Sequence, residues 1–398
     1  MHRLARIVDS VSRELGRGRE RENPREKSRT AHGNVAIDEP DRGANFEKRL
    51  DRYFRSLEAQ SQFSGVLLIT KDGSRLYSEA YGHASRAWLV KNTRATRFDT
   101  ASITKLFTAA ATLQLIDQGL LEFETGVTEF LELRDTAISP EVDAHHLLTH
   151  SSGIGDDADE EAGESYENLW RHKPNYAVTT TADFLPQLVH KPPNFAPGQG
   201  SRYCNCGYIL LELLIEKITG LSYRDYVRRN VFDRAGMADS GFFRMDRVHD
   251  NVAEGCDPIR DGSGDVVGWK KNIYSYPPIG SPDGGARVTA SDLERFLRVV
   301  RAGGLLSAKM THAFLTPQVV DRRMDGWTKM YGYGLWFHVD ETSDVVFHEK
   351  EGVNAGASGL VRHYPGRDTD VVMLSNMEAG VWDPMRKIHA LIVSGEIG

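Results

Sequence analysis

Ser102 and Lys105 stand three residues apart in Phe98-Asp-Thr-Ala-Ser-Ile-Thr-Lys-Leu-Phe-Thr108, where an apolar helical pattern begins. Residues i and i+3 share a helix face, so a hydroxyl and an amine at this spacing meet. Such a pair can serve as a nucleophile with its base. At a helix start, free N–H groups and the helix dipole also favour a developing oxyanion. The tetrad by itself is a weak signal, because about one or two copies arise by chance in a chain of this size. Its bland alternative is a serine N-cap followed by a solvated lysine.

Two further groups give the tetrad a context. Tyr203-Cys-Asn205 follows the loop opened by Pro197-Gly198 and precedes a helical pattern over 207–219 that Gly220 can close. A phenol, with an ordinary pKa of about 10, can move a proton when nearby positive charge lowers it. Asn205 can donate to a substrate carbonyl and accept from Lys105. Tyr166-Glu-Asn168 has the same spacing but lacks both the Pro-Gly approach and the following helix. Lys350-Glu-Gly352 comes after the apolar run 345–347 and before Gly356 and Ser358. A lysine at a strand end would supply the positive potential Tyr203 needs, and Gly352 would let the backbone approach substrate closely. Taken singly, Tyr203 reads as a packing aromatic and Lys350 as an exposed strand-end lysine.

The elements that must position these residues follow from periodicity. Residues 45–60 suit an amphipathic helix, with Asn45 as N-cap and Phe46, Leu50, Tyr53, Phe54 and Leu57 on one side. Apolar runs on either side of Asp72-Gly73 read as a β-hairpin. A central helix over 102–118 buries Leu106, Ala109, Ala110, Leu113 and Ile116 and ends at Gly119. From 120 to 285 the pattern is mainly helix and loop, including a helix from Tyr223 to Ala235. The acidic run 156–164 reads as a solvated surface loop. Thr289-Ala-Ser-Asp292 has the form of a capping box. Candidate strands at 331–339, 345–350, 357–364 and 371–375 precede a last helix at 384–394.

Bulk properties exclude several classes. The 398 residues suit one or two domains, and a net charge of −7 argues against nucleic acid as partner. No apolar run reaches the roughly 18 residues of a membrane span. Three cysteines build no disulfide framework, and Cys204 and Cys206 lack the His/Cys cluster of a zinc site. They read as small packing residues in a reducing compartment. Residues 1–43 read as a charged tail, disordered apart from a short amphipathic segment marked by Leu4, Ile7, Val8, Val11 and Leu15. Arg3, Arg6, Asp9, Arg13 and Glu14 interrupt any signal-peptide core, so a cytoplasmic location is expected.

The order Ser-x-x-Lys, Tyr-x-Asn, Lys-x-Gly resembles the serine β-lactamase and penicillin-binding-protein family, in particular its class C β-lactamase-like branch. The resemblance spans about residues 46–395 and includes His146-Leu-Leu-Thr-His-Ser-Ser-Gly153, Gly284-Gly285 with Asp292, and Tyr331-Gly-Tyr-Gly334. His150 is read as a turn residue that fixes the loop beside the site. The resemblance implies a mixed α/β (α+β) fold: an antiparallel β-sheet flanked by helices, with an inserted, mostly helical lobe. The domain would be 44–398, with a sheet lobe of 44–100 plus 286–398 and a helical lobe of 101–285. It also implies acyl transfer. Ser102 attacks an ester or amide carbonyl, Lys105 and Tyr203 move the proton, and Asn205, Lys350 and Gly352 serve substrate binding and electrostatics. The backbone N–H groups of Ser102 and Val353 would form the oxyanion hole, a donor of this kind contributing about 3 kcal/mol.

No metal or organic cofactor is implied. The partner is a small-molecule ester, amide or peptide, and no feature speaks to oligomeric state. Glu351 stands where this family often has threonine, whose hydroxyl helps bind a substrate carboxylate. Pointing into the cleft, a carboxylate there would repel that group, and pointing to solvent it says nothing; on the first ground an esterase or amidase with a less anionic substrate is favoured. The alternatives are a D-alanyl-D-alanine carboxypeptidase or D-aminopeptidase, a β-lactamase, or a catalytically idle scaffold. An α/β-hydrolase is excluded by the lack of any Gly-x-Ser-x-Gly.

Overall fold

The structure, a computed structural model, describes residues 46–397. The expected tail 1–43 and the N-cap at Asn45 lie outside the described residues. The longer helices are α1 (Phe46–Ala59), α2 (Lys105–Asp117), α3 (Asn205–Thr219), α4 (Ala290–Arg301) and α5 (Trp382–Ser394). The main strands are β1 (Gly65–Lys71), β2 (Ser74–Tyr81), β3 (Val319–Met324), β4 (Trp327–Tyr331), β5 (Trp336–Asp340), β6 (Val345–Asn354), β7 (Ala357–Tyr364) and β8 (Thr369–Ser375). They form one antiparallel sheet in the order β2-β1-β8-β7-β6-β5-β4-β3. The start of the chain therefore lies against its end, with Gly65 opposite Ser375 and Lys71 opposite Thr369.

Local chemistry explains the first elements. In α1 the buried residues are Leu50, Tyr53, Phe54 and Leu57, one stripe at helical spacing. Asp72 and Gly73 have φ of 49° and 71°. A two-residue turn with both residues left-handed twists as the flanking strands do. Alternation along β1 then divides the interior. Leu67 and Ile69 join Phe54, Phe347, Leu360 and Ile388 in a core beneath α1 and α5. Val66 and Leu68 join Ile103, Leu106, Phe107, Leu210, Leu297 and Val372 on the other face. Every residue of α2 from Lys105 to Leu115 is buried. Burial all round marks it as the helix on which the second core is built. Each buried Leu or Phe there contributes about 1.5–3 kcal/mol.

Several expectations are corrected. The run 331–339 is not one strand: Tyr331 ends β4, Trp336 starts β5, and Gly334 turns between them at φ 88°. The hairpin β3–β4 escapes sequence reading because its outer strand, Val-Val-Asp-Arg-Arg-Met, is an exposed or half-exposed edge without apolar alternation. A second hairpin, Cys256–Arg260 with Val266–Lys271, interrupts the otherwise helical middle. The helix expected from Tyr223 contains a π-helical turn at Arg228–Phe232 before it closes at Gly236. In the expected capping box, Thr289 accepts from the Asp292 N–H, but the Asp292 carboxylate reaches instead to Asp239 N–H and Ser240. No helix among the described residues is long and apolar enough to cross a membrane.

Candidate active site

Ser102 lies in a 3-10 turn, Ala101–Thr104, and the α-helix proper begins at Lys105. The expected contact survives the tighter turn: Lys105 Nζ donates to Ser102 Oγ at 3.2 Å. Ala101 has φ of 43°, a left-handed backbone that costs a residue with a Cβ about 1–2 kcal/mol. Its surroundings hold it there. Asp99 Oδ1 accepts the Ala101 N–H at 2.8 Å. Thr100 donates twice to Ala286 O, and Thr104 Oγ1 accepts the Ala286 N–H. Asp99 is itself paired with buried Arg287 at 3.5 Å. Strain of this kind persists only where neighbours over-determine the conformation.

Lys105 is fully buried. Besides Ser102, its Nζ donates to Asn205 Oδ1 at 2.8 Å and to the Asp283 carbonyl at 2.6 Å. The Asp283 carboxyl accepts from Ser281 Oγ at 2.6 Å. Burial pushes that carboxyl up, against the pull of the Lys105 charge. The Asp283 carbonyl is a partner that sequence reasoning missed, since a backbone acceptor has no residue signature.

Asn205 opens α3, and its neighbour there overturns a sequence expectation. The acidic run 156–164 is not wholly a solvated loop: Asp156 and Asp157 are 6% and 4% exposed. Asp156 Oδ1 accepts the N–H groups of Asn205 at 2.9 Å and Cys206 at 3.0 Å, and Oδ2 accepts Asn205 Nδ2 at 3.3 Å. A helix start leaves such N–H groups without intrahelical partners. Here a carboxylate from a distant loop satisfies them, which composition alone does not reveal. Asp156, Asp157 and Cys206 bring donor atoms within 4.8 Å of one another, close enough to hold a metal ion. Asp156 already serves the helix, and burial holds the Cys206 thiol well above its ordinary value.

The ring of Tyr203 has two lysine nitrogens near it, Lys105 Nζ at 5.0 Å and Lys350 Nζ at 4.9 Å from its centroid. Lys350 Nζ also lies 4.5 Å from the Trp336 ring. Lys350 is therefore not an exposed strand-end residue. It is buried in the middle of β6, which runs on to Asn354. β5 meets β6 only as far as Trp336 opposite Glu349. Among the described residues, 350–354 then pair with β7 alone. Gly352 has a structural role beside the one expected. A Cβ there would sit 2.1 Å from Thr100 O and 2.8 Å from Ser102 N. The missing side chain lets β6 press against the Ser102 turn itself. Val353 follows on the same stretch, opposite Ser358.

Strand alternation puts Glu351 on the face of β6 away from Lys350 and Gly352. There it adds to the charges of Asp321 and Glu161 around Tyr331, whose phenol is raised well above 10, chiefly by burial. His150 behaves as the sequence suggested. At φ 58° its Nδ1 accepts the Cys204 N–H at 3.1 Å and its carbonyl accepts the Arg202 N–H at 2.9 Å. Burial, then the charges of Lys350 and Lys105, hold its pKa well below 6.5. A neutral ring is what an accepting Nδ1 requires. The ring stands 4.5 Å from that of Tyr203 and so braces the loop.

The chain is 27% identical to "Penicillin-binding protein 4*" of Bacillus subtilis over 345 residues, 84% of this chain and 72% of that protein. It is 30% identical to "Esterase EstB" of Burkholderia gladioli over 322 residues, 73% of this chain and 79% of that one. Among solved structures, a penicillin-binding protein from Bacillus halodurans superimposes with a TM-score of 0.77 at 37% identity, covering 85% of this chain and 99% of that chain. The fold is thus that of the β-lactamase and transpeptidase type. With the Beta-lactamase family profile matching residues 50–393, this chain belongs to the Beta-lactamase family of serine hydrolases.

Proposed function

We propose that the protein cleaves an ester or amide of low negative charge through an acyl-Ser102 intermediate, in the manner of the class C-like branch. The observation that carries this reading is the 3.2 Å contact between Ser102 Oγ and the buried Lys105 Nζ, with Asn205 and the Asp283 carbonyl fixing the amine. Ser102 Oγ attacks the carbonyl carbon while its proton passes to the Lys105–Tyr203 pair. Lys105 Nζ stands 5.0 Å from the centre of the Tyr203 ring, so the proton is assigned to the pair and not to either group alone. The oxyanion collects between the backbone N–H groups of Ser102 and Val353. The proton then goes to the leaving group, whose bond to the carbonyl carbon breaks. Water repeats the sequence in reverse to free Ser102. Lys350 keeps positive potential at Tyr203, Asn205 presents its amide to the substrate carbonyl, and Gly352 keeps the strand edge close. On this reading, reaction takes place between a sheet lobe, 44–100 with 286–398, and a helical lobe, 101–285.

Glu351 stands where a threonine hydroxyl would help hold a substrate carboxylate, and the lack of that hydroxyl supports a substrate of low negative charge. Similarity to an esterase supports the ester reading, and similarity to penicillin-binding proteins keeps a peptide substrate as the competitor. The test is mass spectrometry after treatment with a fluorophosphonate, with Ser102→Ala as control, beside turnover of p-nitrophenyl acetate and a D-Ala-D-Ala peptide. Label on Ser102 and faster ester turnover are expected. Label that persists in the variant sinks the nucleophile, and preference for the peptide sinks the substrate class.

A further inference from the structure

Asp156 is a carboxylate that no motif of the sequence singled out, yet it touches the amide of Asn205. We infer that Asp156 is a positioning residue that dictates which end of the Asn205 side chain faces Lys105, an inference that rests on the mechanism proposed above.

Donor and acceptor parity fixes the orientation. Lys105 Nζ has at least two N–H donors in either protonation state, one for the Asp283 carbonyl and one for the atom it meets at 2.8 Å, which is the Asn205 oxygen. The Asn205 nitrogen then faces the other way, 3.3 Å from Asp156 Oδ2. A carboxylate only accepts, so it receives this N–H and would repel the amide oxygen. The two neighbours therefore agree on one orientation of an otherwise symmetric-looking group. Asp156 is itself fixed by its other oxygen, which accepts from Asn205 N–H, Cys206 N–H and Asp157 N–H at 2.9, 3.0 and 3.1 Å. The Cys204 thiol adds a contact at 3.6 Å. A local cap is missing, because Cys204 at the N-cap makes no side-chain hydrogen bond to the helix. One buried carboxylate thus starts α3 and orients its first side chain. The second hydrogen on Asn205 Nδ2 remains for the substrate carbonyl. An inverted amide would lose that donor and oppose Lys105 with N–H groups.

Asp156→Asn separates the orienting role from the capping role. Asparagine is as good a helix cap as aspartate, so the start of α3 keeps its acceptor. Its amide nitrogen can instead donate to Asn205 and favour the inverted orientation. The expected result is a kcat/KM for p-nitrophenyl acetate lower by roughly ten- to hundredfold, the effect of one hydrogen bond to a charged group. N–H groups facing Lys105 disfavour its charged form. The acidic limb of the pH profile, which reports the Lys105–Tyr203 pair, therefore moves down by about one unit. Adding Asn205→Asp to Asp156→Asn puts an acceptor back toward Lys105 and a negative charge beside it. The limb then moves above its original position.

A cap without an orienting role would give neither the downward shift nor its reversal. Turnover by Asp156→Asn within twofold of the parent, or a loss of rate that only follows loss of folded protein by thermal melt, overturns the proposal. The Ser102→Ala labelling control stands apart from it. If Ser102 is labelled and Asp156→Asn is unaffected, the mechanism survives and the positioning role falls. If Ser102 is not labelled, the mechanism has failed for reasons that do not involve Asp156.

Discussion

Among the individual residues, a buried lysine is the one on which the site turns. Removing a partner from a satisfied buried group costs more than the bond contributed, because what remains is unsolvated. Lys105→Ala would leave Asn205 Oδ1, the Asp283 carbonyl and Ser102 Oγ without their donor. It is expected to lower ester kcat/KM at least about a thousandfold, as loss of a base coupled to its nucleophile does. It should also cost about 2–4 kcal/mol of stability. Rates on p-nitrophenyl acetate and a urea unfolding curve check the two parts. Activity within tenfold of the parent would show that another group takes the proton. The spacing of Ser102 and Lys105 was legible because one helical turn enforces it. The Asp156 and Asp283 contacts were not, since they lie 49 and 178 residues from Asn205 and Lys105.

Between elements, the site depends on how closely β6 approaches the 3-10 turn before α2. Gly352 makes that approach possible. Gly352→Ala puts a methyl group against backbone atoms that cannot rotate away, so the strand or the turn must shift. Overpacking of this kind costs about 1–3 kcal/mol. The larger effect is expected on catalysis: the Ser102 N–H is one of the atoms displaced, and loss of such a donor lowers kcat about a hundredfold or more. A thermal melt beside a kcat measurement tests this, and an alanine variant with unchanged kcat would refute the close contact. In the sequence, a glycine here implies close approach to substrate, and the contact with the Ser102 turn is an addition to it. The turn that β6 in fact meets comes from residues about 250 positions earlier, beyond the reach of any local pattern.

Across the whole molecule, two cores pack on opposite faces of one sheet. The sheet also buries histidines near the core beneath α1 and α5. Burial lowers His338 to about 4 and His389 to about 3. Below about 6.5, the unfolded chain binds a proton at each that the folded chain refuses. Their contribution is thus intact above that value and is lost as pH falls toward the folded pKa, at about 1.4 kcal/mol per unit for each. His389→Phe removes one such group and the 2.9 Å hydrogen bond to Tyr364. At pH 7 the variant should be less stable by about 1 kcal/mol. By pH 5 it should have recovered about 2 kcal/mol relative to the parent. Melts at both values decide it, and a constant difference would mean that His389 does not titrate on unfolding.

Neighbours along the chain enforce the helices, through their apolar spacing, and the hairpin at Asp72-Gly73. They also enforce the Ser102–Lys105 pair, and the order of three motifs pointed to the family, so all of this could be read from sequence. Packing alone put Lys350 in a buried place between Tyr203 and Trp336, set Gly352 against the Ser102 turn, and made Asp156 the start of α3. These outcomes depend on desolvation and on donors and acceptors brought together from remote segments. Composition reads a charge as solvated, and only the packed molecule shows which charges are enclosed.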